Sequence, residues 1–165
     1  MSSSKHNSFI LVIIFCTGHF VVISSVSNNY KTAAVKRASK CKIGWQEFNG
    51  HCYLFSYDQM SWRSAENFCE SHNSILVRIE TWEENQWLFE QMREQSAWTG
   101  GVRSYYGDFV WYNDLSDMRF TNFNPDEPNN AWGIEDCLLI TVFNHGAWND
   151  MECILSFSFV CETQL

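Results

Sequence analysis

The amino-acid sequence predicts a single α+β domain over residues 41–165. Two segments between residues 61 and 92 place apolar residues at helical spacing, which predicts two amphipathic helices. Beyond Gln95 the chain consists of short apolar runs separated by long polar stretches, a pattern typical of short strands and loops. Aromatic residues make up 16% of the 165 residues and include eight tryptophans, so one substantial core can form.

Local signals place the first elements of this domain. Asn49-Gly50 is a strong hairpin-turn signal and predicts a pair of strands on either side of it. Ser61 is a suitable N-cap for a helix that ends near residue 72. Thr81 and Glu84 form a capping box, which predicts that a second helix begins there.

Short strands and one long loop make up the rest. The strand candidates are Ile75–Ile79, Ala97–Gly100, Phe109–Trp111, Cys137–Ile140, Gly146–Trp148 and Phe157–Cys161. Residues 112–136 contain both prolines and little regular pattern. Long loops without secondary structure inside compact domains are usually functional or disordered, and we interpret this one as functional.

The N-terminal residues have the pattern of a targeting segment. Lys5 and His6 precede an apolar run of about 15 residues, and Ser25 and Ser27 supply small residues before a cleavage site. This pattern predicts a signal peptide over residues 1–27, a short basic leader or stalk over 28–40, and a secreted, extracellular protein whose mature chain does not insert into a membrane. An uncleaved membrane anchor is the alternative, although a spanning helix needs about 20 apolar residues.

Cysteine content and charge narrow the class of protein further. Seven cysteines in so short a chain indicate an oxidising compartment. Removing residues 1–27 takes Cys16 away and leaves an even set of six, whose pairing the sequence alone does not determine. From Cys41 onward the chain carries six basic and 19 acidic residues, a formal charge of −13. Such a domain repels nucleic acid and anionic membranes, so neither is an expected partner.

A cluster of oxygen-bearing side chains lies between residues 127 and 150. Three carboxylates and two carboxamides occur within 24 residues: Glu127, Asn129, Glu135, Asn149 and Asp150. Calcium takes about six to eight oxygen ligands of these kinds, whereas the paired His and Cys that zinc prefers are missing from this segment. Pro128 follows Glu127, and a cis bond before it would turn Glu127 and Asn129 toward one point.

This arrangement resembles the C-type lectin-like domain. The matching residues are the triplet Glu127-Pro128-Asn129, the step Glu135-Asp136-Cys137, and the triplet Trp148-Asn149-Asp150 before Cys153. The resemblance implies an α+β fold with two helices, two small antiparallel sheets and a long calcium-binding loop. It also implies three disulfides, Cys41–Cys52, Cys69–Cys161 and Cys137–Cys153.

The resemblance further implies that the five oxygen ligands hold a calcium ion, which itself coordinates two sugar hydroxyls. Glu-Pro-Asn is the form of mannose-type readers, and galactose-type readers carry Gln-Pro-Asp. The expected sugar-binding residues are Glu127, Asn129, Glu135 and Asn149. Trp132 either stacks on the sugar or packs within the loop. An accessory calcium site is not expected, because residues 103–106 lack acidic side chains.

The sequence therefore predicts a calcium-dependent lectin that binds mannose-type glycans and is not an enzyme. The motifs of common hydrolases and nucleotide-binding enzymes do not occur in it. Weak single-site binding would need clustering of sugars or of domains, the latter through the domain surface. The alternative is a structural, matrix or protein-binding protein of the same fold, whose calcium only orders the loop.

Overall fold

A computed structural model of the chain describes residues 11–12, 23–24 and 40–165. Nearly all of the predicted signal peptide and leader lies outside these residues. In the N-terminal unit, β1 (Leu11–Val12) and β2 (Ile23–Ser24) pair antiparallel. The second unit comprises Ala38–Leu165. No helix in the described part of the chain is both long enough and apolar enough to cross a membrane.

The two predicted helices are confirmed. Helix α1 spans Trp62–Ser71 and helix α2 spans Trp82–Gln91. Ser61 caps α1, and Thr81 Oγ1 accepts a hydrogen bond from the backbone N–H of Glu84 at 3.1 Å. The Glu84 carboxylate does not return to Thr81. It accepts from the backbone N–H of Glu80 at 2.8 Å and from the Tyr53 hydroxyl at 2.7 Å, which joins α2 to the sheet.

Nine strands of the second unit form one connected sheet. They are β3 (Gln46–Phe48), β4 (His51–Met60), β5 (Ile75–Leu76), β6 (Ala97–Arg103), β7 (Phe109–Trp111), β8 (Ser116–Asp117), β9 (Cys137–Ile140), β10 (Trp148–Met151) and β11 (Phe157–Gln164). The main order is β10-β9-β6-β11-β4-β3, with β5 beside β11, and β7 between β6 and β8.

The sheet differs in one respect from the expected pair of small antiparallel sheets. Strand β11 runs antiparallel to β4 but parallel to β6, where Ser158 and Phe159 face Ala97 and Trp98. This pairing joins the hairpin half of the domain to the loop half. Strand β10 begins only at Trp148, because the preceding residues 144–146 have positive φ and form a turn.

The core lies between the sheet and the helices, and covalent bonds reinforce it. Trp98, Trp111 and Trp148 are among the largest fully buried side chains. The three disulfides are those that the resemblance implies: Cys41–Cys52, Cys69–Cys161 and Cys137–Cys153. Between residues 112 and 136 the regular elements are limited to β8 and a 3₁₀ turn at Ala131–Gly133. The α+β class is confirmed, and the core and disulfides hold both ends of this long loop.

Candidate functional site

Strand β10 delivers the C-terminal half of the candidate site. Asn149 and Asp150 pair with Leu139 and Leu138 of β9. Trp148, which precedes them, is fully buried, and its indole N–H donates to Asn85 Oδ1 of helix α2 at 2.7 Å. Strand β10 is therefore anchored to both the sheet and a helix, so Asn149 and Asp150 have a rigid base.

The Glu-Pro-Asn turn folds onto Asp150. The peptide bond between Glu127 and Pro128 is cis, the isomer that would turn Glu127 and Asn129 toward one point. The backbone N–H of Asn129 donates to Glu127 Oε2 at 3.0 Å and to Asp150 Oδ1 at 3.1 Å. The backbone N–H of Asn130 donates to Asp150 Oδ2 at 2.8 Å. Asp150 is fully buried, so these N–H groups help to offset the loss of its hydration.

Glu135 is held by a second set of contacts within the loop. The backbone N–H of Ala131 donates to Glu135 Oε2 at 2.8 Å, and the backbone N–H of Glu135 donates to Asn130 Oδ1 at 3.1 Å. The segment from Asn130 to Glu135 is thus closed on itself. Trp132 lies at its tip with 93% of its surface exposed, so it does not pack within the loop.

The carboxylates of the site repel one another. Partial burial raises the pKa of Glu127, and the neighbouring Asp150 and Glu135 carboxylates raise it further, against the opposing hydrogen bond from the Asn129 N–H. A raised pKa means that the ionised form is disfavoured in the protein as it stands. A divalent cation between these groups would remove that penalty.

The donor set fits calcium, provided that the amides take part. In residues 40–165 no three His, Cys, Asp or Glu side chains converge closely enough to make a metal site alone. Hydrogen bonds link Glu127, Asn129 and Asp150 directly, and Asn130 connects Glu135 to them. Asn149 lies beside Asp150 in β10, but its amide donates to Met151 Sδ at 3.1 Å rather than to another proposed ligand. Mixed carboxylate and amide oxygens are what calcium accepts.

One cationic residue of the site was not anticipated. The guanidinium of Arg103, at the end of β6, donates to Asp150 Oδ2 and to the backbone carbonyl of Glu135. In the sequence, the segment that contains Arg103 stands out only for its lack of acidic residues. An arginine in place of acidic residues was the only hint in the sequence that this segment contributes a cation to the site. Its partners Glu135 and Asp150 could not be predicted, because they lie 32 and 47 positions away in the chain.

The fold and this loop define a class of protein, and the chain belongs to the C-type lectin family. The family described as Lectin C-type domain matches residues 58–163. Domains of this family generally bind calcium.

Individual relatives agree with this assignment. Rat asialoglycoprotein receptor 1 is 32% identical over 131 residues, which cover 76% of this chain and 45% of the receptor. The chain thus spans about half the length of the curated relatives it matches. The carbohydrate-recognition domain of human scavenger receptor C-type lectin has a TM-score of 0.71 at 33% identity, covering 76% of this chain and 99% of that one.

A third relative was solved with an oligosaccharide. The bovine carbohydrate-recognition domain of CD23, determined in the presence of GlcNAc2Man3, has a TM-score of 0.70 at 29% identity and covers 76% of this chain and 96% of its own. These relatives are lectins and receptors rather than enzymes, in agreement with the prediction of no catalysis.

The prediction of a secreted, extracellular protein is wrong by these comparisons. The curated relatives include asialoglycoprotein receptors 1 and 2, which are type II membrane proteins. The length of the apolar run does not separate a signal peptide from an anchor, because about 15 residues lie at the upper end of the roughly 7–15 of a signal peptide and close to the roughly 17–25 of a span. Of that run, the structure describes only Leu11, Val12 and Ile23.

Proposed function

We propose that the domain binds carbohydrate through a calcium ion held by Glu127, Asn129, Glu135, Asn149 and Asp150, and that it prefers mannose-type sugars. The observation that carries this proposal is the Glu-Pro-Asn turn folded onto Asp150. Its two backbone hydrogen bonds bring a loop triplet and a strand residue, 21 positions apart, to one point. Burial, and next the neighbouring Asp150 carboxylate, raise the pKa of Glu127.

The chain's own residues have distinct tasks in this proposal. Bound calcium supplies open coordination positions for two neighbouring sugar hydroxyls. Glu127 and Glu135 carry acceptors for the hydroxyl protons, whereas the amides of Asn129 and Asn149 carry donors for hydroxyl lone pairs. Asp150 is buried beneath the turn, so its task is to hold the ion rather than to touch sugar. The order of acceptor and donor in the triplet then selects the geometry of the hydroxyl pair.

Two facts bear on the sugar class. The Glu-Pro-Asn triplet resembles that of mannose-type readers, and the bovine relative was solved in the presence of a mannose-containing oligosaccharide. Other relatives are asialoglycoprotein receptors by name, so galactose is the competing sugar to test.

Trp132 extends the proposed sugar site. Its ring is almost fully exposed, and its neighbour Ala131 is bound to the Glu135 carboxylate. An exposed ring beside the proposed ligands can stack on the apolar face of a sugar. Few contacts are made to one sugar, so useful binding would need clustered sugars or domains, and we propose that the domain surface provides any such association.

Retention on immobilised sugar tests the proposal. We expect the chain to bind mannose resin in calcium, to elute with a chelator, and to be displaced by free mannose more readily than by galactose. The matched variant carries Glu127→Gln and Asn129→Asp, which creates the galactose-type triplet and should lose mannose retention. Displacement by galactose alone would refute the sugar class. Calcium uptake without retention on either sugar would favour the structural or protein-binding alternative.

A further inference from the structure

Arg103 makes a dense set of contacts beneath the candidate calcium site. Its Nε and Nη2 both donate to the Glu135 carbonyl at 3.1 Å, and Nη1 donates to the Gly107 carbonyl at 2.9 Å. Nη2 also donates to Asp150 Oδ2, and Nε lies 3.5 Å from Asp136 Oδ1. One guanidinium therefore contacts two backbone carbonyls and two carboxylates.

The position of this guanidinium is tightly defined. Its side chain is only 13% exposed, and its central carbon lies 4.7 Å from the centre of the Phe109 ring. The backbone N–H of Arg103 donates to the Asp136 carbonyl at 2.9 Å, so the main chain is held as well. A planar fork with five donors suits such a set of acceptors, whereas a lysine ammonium offers a single point of charge.

The contacts connect Arg103 to two of the proposed calcium ligands. Asp150 is fully buried, and a buried carboxylate needs a partner of opposite charge. Arg103 binds one Asp150 oxygen, while the other accepts the Asn129 N–H at the Glu-Pro-Asn turn. The two bonds to the Glu135 carbonyl hold the backbone from which the Glu135 carboxylate projects.

We propose that Arg103 is a positioning residue that acts as an internal cation: it orients Asp150 and Glu135 for calcium and occupies the place where a second cation would otherwise neutralise this cluster. The proposal rests on the calcium site of the proposed function. It predicts one calcium ion per domain, with an affinity that depends on a side chain which does not itself touch the metal.

Calorimetric titration of calcium into the chelator-treated chain tests this, without any sugar. The wild type should bind one calcium per chain. Arg103→Ala should weaken calcium binding by roughly 10–100-fold, as is typical when a partner of a metal ligand is removed. Arg103→Lys keeps the charge with fewer contacts, so its affinity should lie between the two, and it decides the matter if Arg103→Ala does not fold.

Arg78→Ala is the matched control. Arg78 is also largely buried and also pairs with two carboxylates, at 2.7 Å to Glu80 and 2.8 Å to Asp114, but neither is a proposed ligand. Its calcium affinity should equal that of the wild type. Calcium binding by Arg103→Ala that is unchanged or tighter would overturn the positioning role alone, and so would two calcium ions on the wild type. A wild type that binds no calcium would overturn this proposal and the proposed function together.

Discussion

Replacing Asn85 with alanine tests how the fold supports the site. Asn85 and Trp148 are both fully buried, and Asn85 Oδ1 accepts the indole N–H at 2.7 Å. The Asn85 amide also donates to the Gly146 carbonyl at 3.1 Å and, more weakly, to the His145 carbonyl at 3.4 Å. One side chain thus joins helix α2 to the turn and strand that carry Asn149 and Asp150.

The loss of stability caused by Asn85→Ala depends on which of its hydrogen-bond partners are left without another partner. The Gly146 carbonyl keeps a donor from Asn122 at 3.0 Å, and the His145 carbonyl keeps one from Gln86 at 2.8 Å. Only the Trp148 N–H loses its partner. An unsatisfied buried donor costs about 1–3 kcal/mol, so Asn85→Ala should lower the free energy of unfolding by about that amount.

Urea unfolding followed by tryptophan fluorescence, with the disulfides intact and a chelator present, measures this difference. Gln86→Ala is the control, because it removes a more exposed donor from the same turn and should cost less than about 0.5 kcal/mol. If Asn85→Ala proves as stable as Gln86→Ala, the Trp148 hydrogen bond does not anchor β10, and the reasoning fails.

Four further predictions concern the loop and the disulfide that follows it. Because burial and the neighbouring carboxylates raise the pKa of Glu127, protons compete with calcium for Glu127 more strongly than for an ordinary glutamate, so sugar retention should fall as the buffer is made acidic; full retention at about pH 4 would contradict this. Without calcium, the folded state keeps the Glu127 proton to higher pH than the unfolded chain does, so Glu127 makes the domain less stable as pH rises through that pKa. Replacing Cys137 and Cys153 with serine opens a link across a separation of 16 residues and should cost about 3 kcal/mol in urea unfolding; undiminished stability would exclude a structural role for that bond. Trp132→Ala should change stability by less than about 0.5 kcal/mol, since the ring is exposed, but should reduce sugar retention; unaltered retention would remove Trp132 from the site.

Local signals in the sequence determined the beginning of each helix and the first hairpin. Asn49 and Gly50 both adopt positive φ between β3 and β4, and Ser61 and Thr81 cap the helices that they were predicted to cap. These features depend on residues within four positions of one another, so the sequence contains all that is needed to predict them. The family triplets, in the same way, identified the candidate ligands before any coordinates were known.

Tertiary structure decided what joins these pieces. The parallel pairing of β6 with β11 connects residues 97–98 to residues 158–159, and no local pattern encodes it. No local pattern in the sequence distinguishes Arg103 from a surface cation, yet the fold places its guanidinium against Asp150 and the Glu135 carbonyl. Burial of Asp150 creates the demand for a cation, and only the packing of β6, β10 and the long loop brings one there. The sequence alone therefore determined the chemistry of the candidate ligands, whereas long-range packing determined how they are oriented and neutralised.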